Sequence, residues 1–525
     1  MKRIIIQILA ILITTPVFSQ TLESIDWGAY QEMPKNTRFR KVIGSDDEGI
    51  YIIREDKYNK DKMWIEYVSR LTLTVDESNE IALPTYLGTQ THFFDMFYIN
   101  KKFILITYSY DESTKQKKLF IQYLNRDGTL KNRPLLVATL PASNFPEDDF
   151  RVSLTDDKEI LIFYQKSFKA YNQEKFTFLK YNSNLQKTFQ EEISLPEKFN
   201  NRKFTVKQAT ISNKKKIIML LKAEAINKRK SRRNTITKYE FVIVTYYPKK
   251  KEFRDAVVNL MKYKATDAIF TLNKDGNMVI AGFFEPKTNK LPGSFTGVYY
   301  KIYNPNTYKF LPSGGTKGYF KVLSKDMIAK LRTKRNGETP KQQFAYKLKS
   351  IELLDNGSFI VVSENQFVGE RTITDPKTKT ERKIKYFYYN DILTFGVNEK
   401  GIVSWVKIIP KNQFSIDDNG YFSSYKVIKI RNKIKLIYND LPNNIKAKSP
   451  DKIKVLKNNL HLTAPRGIGI ISSIFYDGSI ITEPLFPDKD KNHTIVPALI
   501  TPYDGQYFTI AIKKKEYKFG IFVIE

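Results

Sequence analysis

Apolar residues in this chain fall into short runs, and the strongest of them recur behind the same kind of polar turn. The turn and the run after it read 47–54 (DEGIYIIR), 100–108 (NKKFILITY), 156–164, 213–221, 275–282 (DGNMVIAG), 355–363 (DNGSFIVVS), 432–439 and 504–512. A third run often ends in an aromatic residue and another polar turn, as in 64–67, 119–125 (LFIQYLN), 176–184 (FTFLKYNSN), 241–248 and 298–306 (VYYKIYNPN). A weaker fourth follows, as in 192–196 or 402–410. Alternating apolar and polar positions bounded by Gly, Asn, Asp and Pro signal strands, not helices. The turn centres recur at roughly 50 to 60 residues in the first five units and 70 to 80 in the last three, the range of radially repeated sheets. The pattern predicts an all-β chain forming a single β-propeller of eight four-stranded blades, because one small sheet cannot bury both faces alone. Seven blades is the alternative if the seventh unit is an elaborated loop.

The two ends bear on closure. The last unit has a third strand at 517–524 and no fourth, whereas 25–36 (IDWGAYQEMPKN) resembles the fourth strand 403–412 (VSWVKIIPKN), both carrying Trp and then Pro-Lys-Asn. The N-terminal strand is therefore expected to complete the final blade. Ahead of it, 1–19 has the layout of a secretory signal: Lys2 and Arg3, an apolar run over 4–13, Pro16, and a small residue at Ser19. That run is shorter than the roughly 20 residues of a bilayer crossing. Export to the periplasm, outer membrane or medium follows as the expectation, with 20–525 as one domain. Three stretches break the rhythm: 312–345, where 324–335 reads as a short basic helix capped by Ser324; 364–386, a long hairpin arm with its tip at 375–379; and 440–466. Function on repeat folds concentrates in such insertions.

The chain contains no cysteine, so neither disulfides nor thiolate metal sites enter, and with 525 residues at 41% hydrophobic composition its stability must come from packing. Three histidines, His92, His461 and His493, leave little imidazole for metals or acid-base work. Asp488, Asp490 and Asn492 have the alternate spacing of an oxygen-ligand calcium loop, but His493 stands where Gly is needed and Leu499 where the closing Glu belongs. No metal and no cofactor is expected. The net charge of +32 would draw anionic glycan, lipid head groups or acidic protein surfaces, while lysine on exposed strands also blunts sheet edges.

Candidate chemistry is sparse. Segment 293–297 (GSFTG) has its serine one place early for a nucleophile elbow, and 313–318 (SGGTKG) lacks P-loop spacing. The acid pairs Asp46-Asp47, Asp148-Asp149, Asp156-Asp157 and Asp417-Asp418 sit at turns, where Asp caps its own backbone. Basic runs stand out more: Lys228, Arg229, Lys230, Arg232 and Arg233 in one loop, Lys334 and Arg335 in another, with 214–216, 249–251 and 377–385 besides. Arginine forks grip phosphate or carboxylate. Aromatic clusters 386–389 (YFYY) and 421–425 (YFSSY) offer stacking residues, with Tyr388 and Tyr425 as the candidates, although alternation commits half of each cluster to the core.

The turns at 272–282 (LNKDGNMVIAG) and 353–364 (LLDNGSFIVVSE), and the stretch 395–408 (FGVNEKGIVSWVKI), resemble repeats of exported propellers of the NHL, delta-60 and quinoprotein-like kinds, and the whole pattern is similar to exported propeller-like proteins of Gram-negative envelopes. The resemblance implies scaffolding or recognition at the cell envelope. The expectation is a noncatalytic, peripheral, monomeric binding protein whose basic loops meet an envelope protein or an anionic glycan or lipid, not nucleic acid. The alternative is a carbohydrate-active enzyme with paired carboxylates at the channel mouth.

Overall fold

The strongest apolar runs become strands buried on both faces. In the computed structural model, which describes residues 22–141, 150–168, 173–199, 202–212, 215–225, 239–287, 294–312, 319–331, 344–374, 380–447, 449–458, 467–486 and 493–524, Gly49–Asp56 and Met278–Pro286 are buried along nearly their whole length. Most described residues lie in antiparallel strands, and the one α-helix among them is Lys325–Leu331. The Ser324 hydroxyl accepts from the Met327 N–H at 3.1 Å and so caps that helix.

Eight sheets of at least four strands follow one another along the described chain. The first is Thr37–Ser45, Gly49–Asp56, Met63–Ser69 and Val75–Glu80. The second is His92–Ile99, Lys102–Asp111, Gln116–Leu124 and Leu135–Pro141. The third to fifth start at Phe150–Leu154, Arg202–Ile211 and Tyr263–Leu272, the sixth at Tyr346–Leu353 and the seventh at Tyr425–Ile430. The eighth combines Thr494–Ile495, Thr501–Tyr503, Gln506–Lys513 and Glu516–Ile524 with Leu22–Trp27 and Gln31–Glu32 from the other end of the chain. This is a repeat-like, propeller-type arrangement.

Packing explains why the second strands cannot alternate polar and apolar. Ile50 and Ile52 point into a core shared with the eighth sheet, beside Phe508 and Phe519, while Tyr51 and Ile53 enter one shared with the second sheet, beside Phe103 and Leu105. Ile104 and Ile106 then pack on Ile160 and Ile162 of the third sheet. Every strand of this kind is covered on both sides, so both faces must be apolar. Comparable cores join the sixth sheet to the seventh through Val362 and Leu436, and the seventh to the eighth through Ile471 and Phe522.

Register accounts for the repeated tryptophan. Trp27 lies opposite Gly520 and Trp405 opposite Gly396. A Cβ on Gly520 would fall 2.5 Å from the Trp27 ring, and one on Gly396 would fall 2.3 Å from that of Trp405. Each indole thus lies flat across a glycine of the neighbouring strand, a position no larger residue allows.

Within each meander, the connection between the second and third strands leaves from the same end as the chain's entry into the first, since successive strands run antiparallel. At that end of the sixth sheet, Phe359–Thr374 and Glu381–Val397 remain paired as far as Thr374 and Glu381, well past the reach of their flanking strands. This is a hairpin arm; its tip, 375–379, lies outside the described residues.

Candidate functional site

The arm begins where the flanking strands stop. Tyr346–Leu353 pairs with it only as far as Asn365, and Gln366 N–H bonds the Ala345 carbonyl. Beyond this, the outer edge of 367–374 has no backbone partner among the described residues. At about 3.3 Å per residue this free edge is about 25 Å long. The opposite strand is covered at its base by Gln413–Ile416, which in turn pairs in parallel with Leu456–Asn458 of the 440–466 excursion.

Alternation sorts the YFYY cluster as the period of two requires. Phe387 and Tyr389 are buried, whereas Tyr386 and Tyr388 share the other face with Phe367 and Phe414, all half-buried. The Phe367 and Tyr388 rings stack at 4.4 Å between centroids, and Phe414 lies 5.1 Å from Tyr388 and 6.0 Å from Tyr386. Of the arm's charges, Lys383 pairs with Glu370 at 3.2 Å and Arg382 with Asp417 at 3.0 Å. The side chains of Arg371 and Lys385 make no ion pair among the described residues.

Beneath the arm lies a polar core that sequence reasoning missed. Lys411 and Glu364 are both fully buried, with Lys411 Nζ donating to Glu364 Oε1 at 2.7 Å, to Gln413 Oε1 at 2.8 Å and to the Tyr389 carbonyl at 3.1 Å. Burial pulls the lysine below its ordinary range, with the Glu364 carboxylate opposing that shift. Ser424 Oγ donates to Glu364 Oε2 at 2.8 Å, and Gln413 Nε2 to the Asn439 carbonyl at 2.7 Å. Asn439 then ties the Phe422 and Ile495 backbones. The sixth, seventh and eighth sheets are stitched together at one point. The only prior signal was a lysine inside the Pro-Lys-Asn resemblance.

Two cavities open among the first strands. One, of about 790 Å³, lies between the third, fourth and fifth sheets; there Lys207 is paired with Asp267 at 2.6 Å, and Lys216 Nζ donates to the Pro305 carbonyl at 3.1 Å and to Asn306 Oδ1 at 3.0 Å. The other, of about 760 Å³, is lined by Arg38, Arg40, Glu55, Lys57, Asp61, His92, Phe94, Tyr108, Asp417, Asp418 and Tyr421, among others. Its carboxylates are engaged. Glu55 accepts from Arg38 Nε at 2.7 Å and Arg40 Nη1 at 2.8 Å, Asp56 and Asp417 accept backbone N–H groups, and Asp61 accepts the Phe93 N–H while pairing with His92. Asp418 accepts from Ser415 Oγ and the Gly420 N–H, and burial pushes its pKa up.

A raised carboxyl pKa means that stability is lost as pH rises through the folded value. Asp418→Asn keeps the acceptor for Ser415 and Gly420, so at pH 8 the variant is expected to unfold at a urea concentration equal to or above that of the native chain. Below the usual carboxylate range this advantage should vanish; a variant less stable at pH 8 than at pH 4, relative to native, would overturn the assignment.

Of the residues singled out from sequence, Tyr388 stands in the arm's aromatic strip. Tyr425 instead packs against the core joining the sixth and seventh sheets, its hydroxyl enclosed and its pKa pushed well above the ordinary value by burial. Lys228, Arg229, Lys230, Arg232, Arg233, Lys334 and Arg335 lie outside the described residues, as do His461, Asp148, Asp149, Asp488, Asp490, Asn492 and the leader 1–19. His493 lies outside any strand or helix, and is buried and hydrogen-bonded to the Tyr30 hydroxyl.

No protein-family model matches the chain, and no curated protein does. Among solved structures it is similar to a PL25 polysaccharide lyase, an ulvan lyase bound to -[GlcA(1-4)Rha3S]-, with 9% identity over 87% of this chain and 94% of that one and a TM-score of 0.37. It is also similar to the β-propeller domain of the trilobed protease from Pyrococcus furiosus, with 9% identity over 87% and 98% of the two chains and a TM-score of 0.32. A third is Drosophila semaphorin 1a, extracellular domains 1–2, with 10% identity over 94% and 86% and a TM-score of 0.31. None of the three transfers an activity or a ligand to this chain.

Proposed function

We propose that this chain is a noncatalytic, exported binding or scaffold protein of the cell envelope, an eight-bladed propeller closed by its N-terminal strand, which holds an extended acidic segment of a protein partner along its hairpin arm. The observation that carries the reading is the edge 367–374, which has no backbone partner among the described residues, with Arg371 and Lys385 beside it making no ion pair among them. An open strand edge is a template for another strand, and peptide-binding proteins use such edges to add a strand from a partner. The flanking cations select an acidic partner and make its capture sensitive to salt. The aromatic strip of Phe367, Tyr386, Tyr388 and Phe414 supplies the apolar contact that main-chain pairing alone lacks. Support for export is the signal-like start, and support for an anionic partner is the excess of 87 Lys and Arg over 55 Asp and Glu. The carbohydrate-active alternative asks for two uncommitted carboxylates. The engagement of every acid named in the second cavity favours binding.

The test is a fluorescence-anisotropy titration of an alternating Glu-Val peptide of about ten residues against the full chain. Native protein is expected to bind it at low salt, and the Arg371→Glu/Lys385→Glu variant about tenfold more weakly, the size of one or two lost charge-assisted contacts. A proline at exposed Val368 should weaken it again by blocking pairing. Equal binding by native and charge-reversed chains would remove the arm from the interface.

A further inference from the structure

One corner of the second cavity gathers three cations around two carboxylates, Glu55 and Asp56. Arg38 and Arg40 both lean on the single carboxylate of Glu55, and Lys57 stands half-buried beside them with no ion pair among the described residues. Asp56, its chain neighbour, turns one oxygen to the backbone N–H groups of Tyr58 and Asn59. Burial and the nearby Arg38 guanidinium hold the Lys57 ammonium below the usual lysine range against the pull of the Asp56 carboxylate, and a bound anion would act in the same sense as Asp56.

On the wall of the same cavity, His92 Nδ1 lies 2.7 Å from Asp61 Oδ2, and the other Asp61 oxygen is fixed by the Phe93 N–H at 3.1 Å. With Asp61 accepting, the neutral ring carries its proton on Nδ1 and presents Nε2 as an acceptor. Nε2 has no hydrogen-bond partner among the described residues, and the side chain is 42% exposed. Half-buried Phe94 and Tyr108 line the same cavity, with the Tyr108 ring 5.2 Å from that of His92. One lining thus offers cations for an acid group, an acceptor for a hydroxyl, and aromatic surface for a ring, in a volume of about 760 Å³ that suits one or two sugar units.

We propose that this cavity is a binding site for an acidic sugar, its carboxylate or sulfate held by Lys57 and Arg40, a hydroxyl donated to His92 Nε2, and its ring laid against Phe94 and Tyr108. The site adjoins the base of the arm at Asp417, which accepts the Lys385 N–H, but none of its proposed ligand contacts is on the arm, so it stands whether or not a peptide pairs there. Asp61 positions His92 and does not touch the ligand.

Isothermal titration calorimetry of the full chain with an oligogalacturonate, a sulfated disaccharide and neutral maltotetraose tests this. Binding of either acidic sugar without the neutral one supports the site and identifies which anion it takes. Lys57→Gln, which breaks no ion pair among the described residues, is expected to weaken that binding about tenfold. His92→Phe should weaken it by a similar factor, and Asp61→Asn less. The Arg371→Glu arm variant should bind as native, so failure of the arm reading would not be mistaken for failure of this one. No binding of either acidic sugar at millimolar concentration, equal binding of maltotetraose, or native affinity in Lys57→Gln would each overturn the proposal. Thermal unfolding of every variant separates lost binding from lost fold: should His92→Phe unfold early, Lys57→Gln alone still decides.

Discussion

Lys411→Ala is expected to destabilise this chain by about 3–5 kcal/mol, the range seen when one member of a buried ion pair is removed. The variant leaves fully buried Glu364 with its Ser424 bond and a longer ion pair to half-buried Lys349 at 3.7 Å, but takes away the charged partner at 2.7 Å that shares its enclosed site. Coulomb attraction in the native pair is offset by the desolvation of both groups, so the pair itself adds little and its breakage is what costs. Removing both charges should therefore recover most of the loss. The double variant Lys411→Met/Glu364→Gln is expected to unfold at a urea midpoint close to native, with the two single variants well below it, a strongly non-additive cycle. Additive single and double effects would mean that the two groups do not act as a pair.

Deletion of 22–32 carries the second large effect. That segment supplies the pairing partner of Glu516–Ile524 in the eighth sheet, the Gly28 N–H to Phe519 carbonyl bond, the Tyr30 bond to His493, and a Trp27 ring 5.1 Å from Phe486 with Lys518 Nζ 4.2 Å over it. Without it, Glu516–Ile524 becomes an open apolar edge, and association of chains through that edge is the expected result. The truncated protein should show concentration-dependent light scattering and lose a sharp unfolding transition, and a peptide covering 22–36 added in trans should reduce the scattering. Trp27→Ala alone should lower stability by about 2 kcal/mol, less than the 3–5 of a fully buried ring because this indole is only partly covered. A truncated chain that stays monomeric with a native transition would show that the segment is an appendage.

Much of the strand order was legible because two-sided burial writes itself into the sequence: a strand covered on both faces has to be apolar throughout, as 50–53 and 103–106 are. The hairpin at 364–386 was legible for a related reason, since its polar tip interrupts two long runs of strand-forming residues. The likeness between 25–36 and 403–412 was also visible, but not its cause, because the glycine each tryptophan covers is fixed by cross-strand register and not by spacing along the chain. Tyr425 shows the same gap. Its neighbours alternate as a strand should, yet whether its face meets solvent or the seventh core depends on the sheet next to it.

Sequence by itself determined the repeat, the antiparallel meanders, the insertions and the absence of thiol chemistry, since these rest on local periodicity and residue type. Tertiary structure alone decided the rest: that Lys411 meets Glu364 across 47 residues, that 456–458 returns to the sixth sheet, and that Lys57 comes to stand beside Arg38 and Arg40 while His92 is held by Asp61. Those contacts join residues with no periodic relation to one another, and only the packing of one sheet on the next brings them within hydrogen-bonding or Coulomb range.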